Sequence, residues 1–367
     1  MMLSDIFVRM CENGLTLQLK NGSMPSGHNG PHNDPETPVR NTSHWLISFV
    51  KARELSGDDR FLKAAQSCLA YLTGPDARPG KGAFWHRSNP KKDFSNGIIG
   101  QAWTLEALIY AGRIMQDDTA LRLAEDVFTR HPYDRSLQAW KMIDLEGNST
   151  GIDRTFNHQL WFASIGCRLM EYGSGPVTDF TMDFVNSIHR NIGIYRDGVI
   201  KHYPYGYAQS RSMRRTIGRQ VHHVKQLINP DRKAYSHSAG YHAFNTYALH
   251  TIRISCPGAP VFNGGIFEKA LAVCQQDSFR HALDRASFGF PYNPPGTEIA
   301  VSLQSARRLT EAERKEQMQY WLNRQFERNF DSSTFRMTRN TPDPLTYEAR
   351  IYELYQLDSF DFEIDIS

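Results

Sequence analysis

The sequence predicts an all-α ring of six helical hairpins, an (α/α)6 toroid, and three observations predict it. Tryptophans recur at a constant interval, since 103 − 45 = 58 and 161 − 103 = 58 for Trp45, Trp103 and Trp161. Each opens a stretch with apolar residues at helical spacing, followed by Gly/Asp/Ser punctuation and a second helical stretch. A period of 58 divides the 367 residues about six times. Stacked hairpins of this kind bury one another's apolar faces. An open solenoid is the other closure, but long units with elaborate, non-uniform connections favour the ring. The whole chain, 1–367, then reads as one toroid domain.

The elements follow in order. Residues 3–12 form a short leading helix, and 20–40, rich in Gly, Pro, Asn and His, a long ordered loop. Hairpins run over about 41–73, 96–130 and 155–190, each with its Trp near the start. Two aromatic segments, Gly82–Arg87 and Gly193–His202, read as strand-like connections. A basic, polar insertion at 203–235 precedes hairpin four at about 236–279. Hairpin five covers about 299–330, and Leu345–Gln356 is a last helix before an acidic tail, 357–367. In each unit the His, Arg and aromatic residues gather in the connection before the inner helix. In a closed ring these connections rim one cavity at one end, where chemistry on a rigid scaffold belongs.

Composition excludes several classes. A net charge of +3, with no basic run longer than Arg214-Arg215, argues against nucleic acid. No stretch reaches the length of a membrane span, and the first residues, with Asp5 and Glu12, do not read as a signal peptide. Cys11, Cys68, Cys167, Cys256 and Cys274 are odd in number and lack CxxC spacing, which reads as reduced thiols in a cytoplasmic protein. No dinucleotide fingerprint, P-loop, nucleophile elbow or zinc-protease motif is present, and His222, His223, His237 and His242 lack zinc spacing. No metal or cofactor is expected. The expected partner is an oligo- or polysaccharide, since aromatic-walled clefts suit the C–H faces of sugars, and a homodimer is compatible with the chain.

Four constellations carry candidate chemistry. The first is Asp153-Arg-Thr-Phe-Asn157-His158 ahead of Trp161, with Asn41 and His44 in the matching place ahead of Trp45. Asn41 suits the cap of a helix as well as chemistry, and Asn157 less so, because His158 follows it directly. The second is His237-Ser-Ala-Gly-Tyr241-His242-Ala-Phe-Asn245, where Tyr241 and Asn245 share a helix face and Tyr or His could move a proton. The third centres on Asp93, with Trp85, Arg87, Asn96 and Gln101 around it. Asp93 precedes its Trp helix much as Asp153 does, so the two carboxylates could face each other as glycoside hydrolysis requires; two turn aspartates explain the pattern as well. The fourth is basic, Arg211 to His223 with Arg214 and Arg215, beside Tyr205, and would suit the carboxylate of a uronate, or else be a solvated basic segment.

Asn157-His158-x-x-Trp161-x-Ala163 and Gly240-Tyr241-His242-x-Phe244-Asn245-x-Tyr247-Ala-Leu resemble, in the same order, two motifs of the toroid alginate lyases. That resemblance implies that Asn157 and His158 neutralise a uronate carboxylate and that Tyr241 removes the C5 proton. The family's Arg shortly before the Tyr has no counterpart here, only Arg232 at another spacing. Ile152-Asp153-x-x-x-Asn157 is similar to a run of the unsaturated glucuronyl hydrolases, which implies hydrolysis by Asp93 and Asp153. The stretch from Asp34 to about 250 resembles AglQ-type proteins of glycan-assembly gene clusters, which implies action on hexuronic acids. Together they imply the toroid fold and a uronate-containing glycan, with lyase or C5-epimerase chemistry first, hydrolysis second, and non-catalytic glycan binding third.

Overall fold

The computed structural model describes residues 1–202 and 232–366. The predicted Tyr205, Arg214 and Arg215 lie outside them. Six inner elements form a closed ring: α2 (Val39–Ser56), α4 (Gly97–Met115), α6 (Phe156–Leu169), α9 (His242–Ser255), α13 (Pro295–Leu303) and the 3-10 turn Arg350–Gln356. Each packs on the next, and the last packs on α2. Outside them lie α3 (Asp59–Thr73), α5 (Asp118–Arg130), α7 (Gly175–Asn191), α10 to α12 (Pro260–Asn263, Ile266–Ala272, Asp277–Arg285) and α14 (Glu311–Asn329).

Burial follows position in this double wall. In α4 every residue from Gly97 to Ile109 is buried, polar ones included, because neighbours stand on both sides and a second layer behind. In α5 only Ala120, Ala124, Val127 and Phe128 are buried, the one-sided stripe of a helix facing water.

The two chain ends complete the sixth pair. The leading helix is longer than expected, α1 (Leu3–Leu17), and packs as an outer helix beside α2. The expected acidic tail is tied to it: Leu3 N donates to Phe362 O at 2.8 Å, Ile364 N donates to Met1 O at 2.9 Å, and the rings of Phe7 and Phe360 meet at 5.5 Å. The alternation of buried Phe360, Phe362 and Ile364 with exposed Asp361 and Glu363 explains why an acidic stretch is nevertheless ordered.

The 58-residue repeat proves to be more than a tryptophan spacing. Gln101 and Gln159, also 159 − 101 = 58 apart, do the same work. Gln101 accepts from Phe84 N at 2.7 Å and donates to Phe84 O and Ser95 O. Gln159 accepts from Trp140 N at 2.9 Å and donates to Trp140 O and Asp153 O. Each buried amide clasps the incoming chain to its inner helix and leaves no polar group orphaned. The tryptophans themselves diverge. Trp45 packs so tightly on α1 that a Cβ on Gly14 would sit 2.3 Å from its ring. Trp103 lies under the Arg40 guanidinium at 4.0 Å, and Trp161 stacks on Phe244 at 4.0 Å.

The strand expectations need correction. Within 82–87 and 193–202 there are only single bridges, Glu36 to Arg87 and Ile194 to Ile200. The sheet lies elsewhere, between α5 and α6: β1 (Tyr133–Asp134), β2 (Ala139–Ile143) and β3 (Ser149–Ile152), antiparallel in the order β1-β2-β3. Trp140 anchors it against Phe128 and Phe162. The strand β3 ends at Ile152 and so delivers Asp153 to the start of α6.

Candidate active site

A cavity opens at the N-terminal ends of the inner elements. The α4 start contributes Asn96, Ile99 and Trp103; the α6 start Thr155, Asn157 and His158; the α9 start Tyr241 and Phe244. Arg350 comes from the last inner element and Asn293 from the connection just ahead of α13. Asn29 and His32 come from the long loop, with Arg87, His202, His237 and Tyr292 completing the wall. Among these described lining residues none is Asp or Glu.

His158 is the most completely prepared group. Its Nδ1 lies 2.9 Å from Asp153 Oδ2. Asp153 is buried, and burial opposes its charge. The adjacent His158 and the amides of Thr155 and Ile98 outweigh that and hold its carboxyl below the usual range. Asp153 is therefore an ionised acceptor at neutral pH, so Nδ1 is the nitrogen that donates to it. Nε2 has no partner among the described residues. The arrangement is that of a base oriented by a carboxylate.

The same facts correct the reading of Asp93 and Asp153 as a facing pair. Asp93 Oδ1 accepts from Gly97 N at 2.7 Å and Asp153 Oδ2 from Ile98 N at 3.2 Å. Both carboxylates converge on consecutive amides at the start of α4 and offset the orphan donors of a helix N-terminus. Asp93 also accepts from Arg87 at 2.9 Å. Neither lines the cavity.

Tyr241 stands on the wall built by α9. Its hydroxyl is 3.4 Å from His32 Nε2, and its ring stacks on Phe288 at 5.3 Å. Burial pushes the phenol well above its ordinary value despite Arg350 and Arg40 nearby. The resting group is thus a phenol, suited to give a proton rather than to take one. His32, pushed down to about 4, and His202, to about 3, are neutral imidazoles because of burial, with Lys92, Arg87 and Arg40 adding to it at His32 and neighbouring histidines at His202.

Other predicted residues have structural roles. His242 is fully buried, accepts from Ile200 N at 3.1 Å and contacts Ala270 O at 3.0 Å through Nε2, so both ring nitrogens are used away from the cavity. Asn245 donates to Tyr241 O at 3.0 Å across the break between α8 (Arg232–Gly240) and α9. Asn41 donates to Pro25 O and holds the long loop. His44 stacks on Tyr352 at 4.3 Å, and Trp85 donates to Arg87 O. With Gln101, these lie outside the cavity lining. Of the predicted binding residues, Arg87, Asn96 and His237 line it.

Sequence reasoning missed Arg350, Asn293, Asn29, His32, His202 and Tyr292. His32 sat in a segment already noted for its His and Asn content. Arg350 carried no signal, because a lone Arg in a terminal helix reads as solvated, yet it is buried among Glu298, Glu353 and Asn293. Two amides keep spare valence at the wall: Asn157 Oδ1 and Asn96 Nδ2 are buried without a partner among the described residues.

Closed ring and end-on cavity together define an (α/α)6 toroid, and solved structures agree over nearly the whole chain. A cellobiose 2-epimerase from Bacillus thermoamylovorans B4167 superimposes with a TM-score of 0.66 at 11% identity, covering 96% of this chain and 98% of that one. An unsaturated glucuronyl hydrolase specific for heparin gives 0.63 at 13%, covering 96% and 94%. The α-1,6-mannanase of Salegentibacter sp. HEL1_6, in an inactive variant with mannotriose, gives 0.57 at 10%, covering 96% and 98%. No family model matches the chain. Archaeal glycosylation protein Q of Haloferax volcanii is 38% identical over 372 residues, covering 99% of both chains. The chain belongs to the family of that protein.

Proposed function

We propose that this protein is a carbohydrate-active enzyme that removes the C5 proton of a hexuronic acid residue in a glycan, as an epimerase or a lyase. The observation that carries the reading is the character of the cavity wall: no carboxylate among its described residues, a carboxylate-oriented imidazole in His158, and a protonated phenol in Tyr241. Abstraction α to a carboxylate needs that carboxylate neutralised and a base in reach. Among the described residues Arg87 has Nη2 unspent, since Nε faces Asp34 at 3.0 Å and Nη1 is taken by Asp93. With Asn96 Nδ2 it would hold the substrate carboxylate. His158 Nε2 would take the proton, its imidazolium stabilised by Asp153. Tyr241 would return a proton, to C5 in an epimerase or to the leaving oxygen in a lyase. The base's role expected of Tyr241 thereby passes to His158, and the neutralisation expected of Asn157 and His158 passes to Arg87 and Asn96. Membership of the glycosylation protein Q family and the likeness to a cellobiose epimerase and a glucuronyl hydrolase support a sugar substrate.

The test is incubation of glucuronate-containing oligosaccharides in heavy water. An epimerase incorporates solvent deuterium at C5; a lyase releases an ultraviolet-absorbing unsaturated sugar; a hydrolase does neither while raising reducing ends. Binding with no chemistry under any condition would instead favour a glycan-binding factor.

A further inference from the structure

Behind the cavity wall the ring interior holds a charge imbalance. Among the described residues there, three guanidinium groups, Arg40, Arg350 and the half-buried Arg168, stand against four buried carboxyl groups, Glu36, Glu106, Glu298 and Glu353. The histidines facing them, His44 on α2 and His250 on α9, are held neutral by burial and cannot make up the difference. Glu36 is matched by Arg40 at 3.1 Å, and Glu106 by the field of Arg168 and the hydroxyl of Tyr355. The excess negative charge therefore falls at Arg350, where two carboxyls share one cation.

The contacts there are close. Arg350 Nη2 is 2.7 Å from Glu298 Oε1 and 2.6 Å from Glu353 Oε1, with all three side chains almost fully buried. Both Oε2 atoms are left with no hydrogen-bond donor among the described residues. The two carboxyl groups are brought together on one guanidinium nitrogen, since each meets Arg350 Nη2 through its Oε1. Two buried carboxylates sharing one cation repel each other, and a single proton held between them relieves that repulsion and supplies the donor their orphan oxygens lack. It also cancels the charge imbalance. Four N–H groups of Arg350 meanwhile donate to Glu353, Glu298, Asn293 Oδ1 and Tyr292 O, and Nη2 also lies 2.6 Å from Glu353 Oε1. Although Arg350 lines the cavity, its nitrogens are all engaged by these partners, and what it offers a ligand is net charge.

We infer that Glu298 and Glu353 hold one proton between their facing carboxyl groups in the resting protein, and that an anionic sugar arriving in the cavity draws in a second. With one proton the Arg350 corner is neutral; with two it is a net cation beside the substrate carboxylate. The second step is near at hand, since burial raises Glu353 to about 7 against the pull of Arg350. The part concerning the sugar rests on the uronate reading above; the shared proton does not.

Two arms test it. At about pH 8, Glu298→Gln keeps shape and mimics the protonated member, so the melting temperature stays within about 2 °C of the parent. The infrared C=O stretch of a protonated carboxyl, present in the parent at neutral pH, is diminished in the variant. A loss of about 5 °C or more, with no such stretch in the parent, would mean two ionised glutamates and overturn the inference. In the second arm, calorimetry of free glucuronate in buffers of different ionisation enthalpy shows close to one proton taken up per glucuronate bound at about pH 8. It also shows affinity rising several-fold as pH falls through about 7. Glucuronate binding without proton uptake refutes the coupling. Absence of glucuronate binding counts against the uronate reading, and the first arm still decides the shared proton.

Discussion

His158 and His242 occupy nearly the same place in the chain's grammar. Each is the second residue of a polar pair at the start of an inner helix, Asn157-His158 on α6 and Tyr241-His242 on α9. Their surroundings differ completely. One nitrogen of His158 is fixed by Asp153 and the other faces the cavity. Both nitrogens of His242 are spent on backbone, tying the turn at Ile200 and the outer helix at Ala270 to α9. A histidine can do chemistry only with the valence that packing leaves it, and the step from α8 to α9 rotates His242 into the wall while Tyr241 takes the cavity side.

The sharpest way to break this comparison is to remove each imidazole in turn. His158→Gln is expected to lower C5 exchange by about 10²–10⁴-fold with little change in melting temperature. His242→Gln should leave turnover per folded molecule within a few-fold. If exchange survives the first and vanishes in the second, the assignment is reversed. Next comes the orienting carboxylate. Asp153→Asn removes the acceptor that sets the His158 tautomer and should cost about 10²-fold or more in turnover, measured by the same exchange.

Smaller effects should appear as stability. His242→Phe orphans Ile200 N and Ala270 O and is expected to cost about 2–3 kcal/mol in denaturant unfolding. Its pH dependence has a definite sign. Burial holds His242 at about 4, below its ordinary 6.5. Its contribution is full above about 6.5 and is lost as pH falls towards about 4, because the unfolded chain binds the proton first. The gap between parent and His242→Phe should therefore narrow on acidification over that window. A gap that is constant with pH would mean the imidazole is not held neutral. Last, Asp93→Asn weakens an exposed cap and an exposed ion pair, and should cost under about 1 kcal/mol with turnover unchanged. Loss of activity there would restore a hydrolytic role for Asp93.

Much of the ring was legible in the sequence, for a physical reason. An inner helix is buried on every side, so it is rich in apolar and small residues, and it must begin where its incoming chain is clasped, so tryptophan spacing and flanking turns mark it. The end of the ring that carries the cavity was legible too, because polar residues recur just ahead of these helices, at Asn96, Asn157, His158 and Tyr241. The small sheet was not. Its two-residue β1 and bulged β2 have little alternation to read, and Trp140 looks like any other buried aromatic. The partners of Asp93 were also hidden, since a turn aspartate capping α4 and a catalytic one share the same local pattern.

What the chain's one-dimensional pattern determined by itself is periodic: six pairs of helices, and the end at which their inner members begin. Which side chains keep a free polar atom was decided only by tertiary structure. Asp153 became an orienting group because β3 delivers it against His158, His242 became a strut because two backbone segments meet it, and Arg350 met Glu298 from 52 residues away. Helical periodicity is a property of neighbours in sequence. Hydrogen-bond valence is consumed by neighbours in space, and a closed ring brings together residues from all six of its walls.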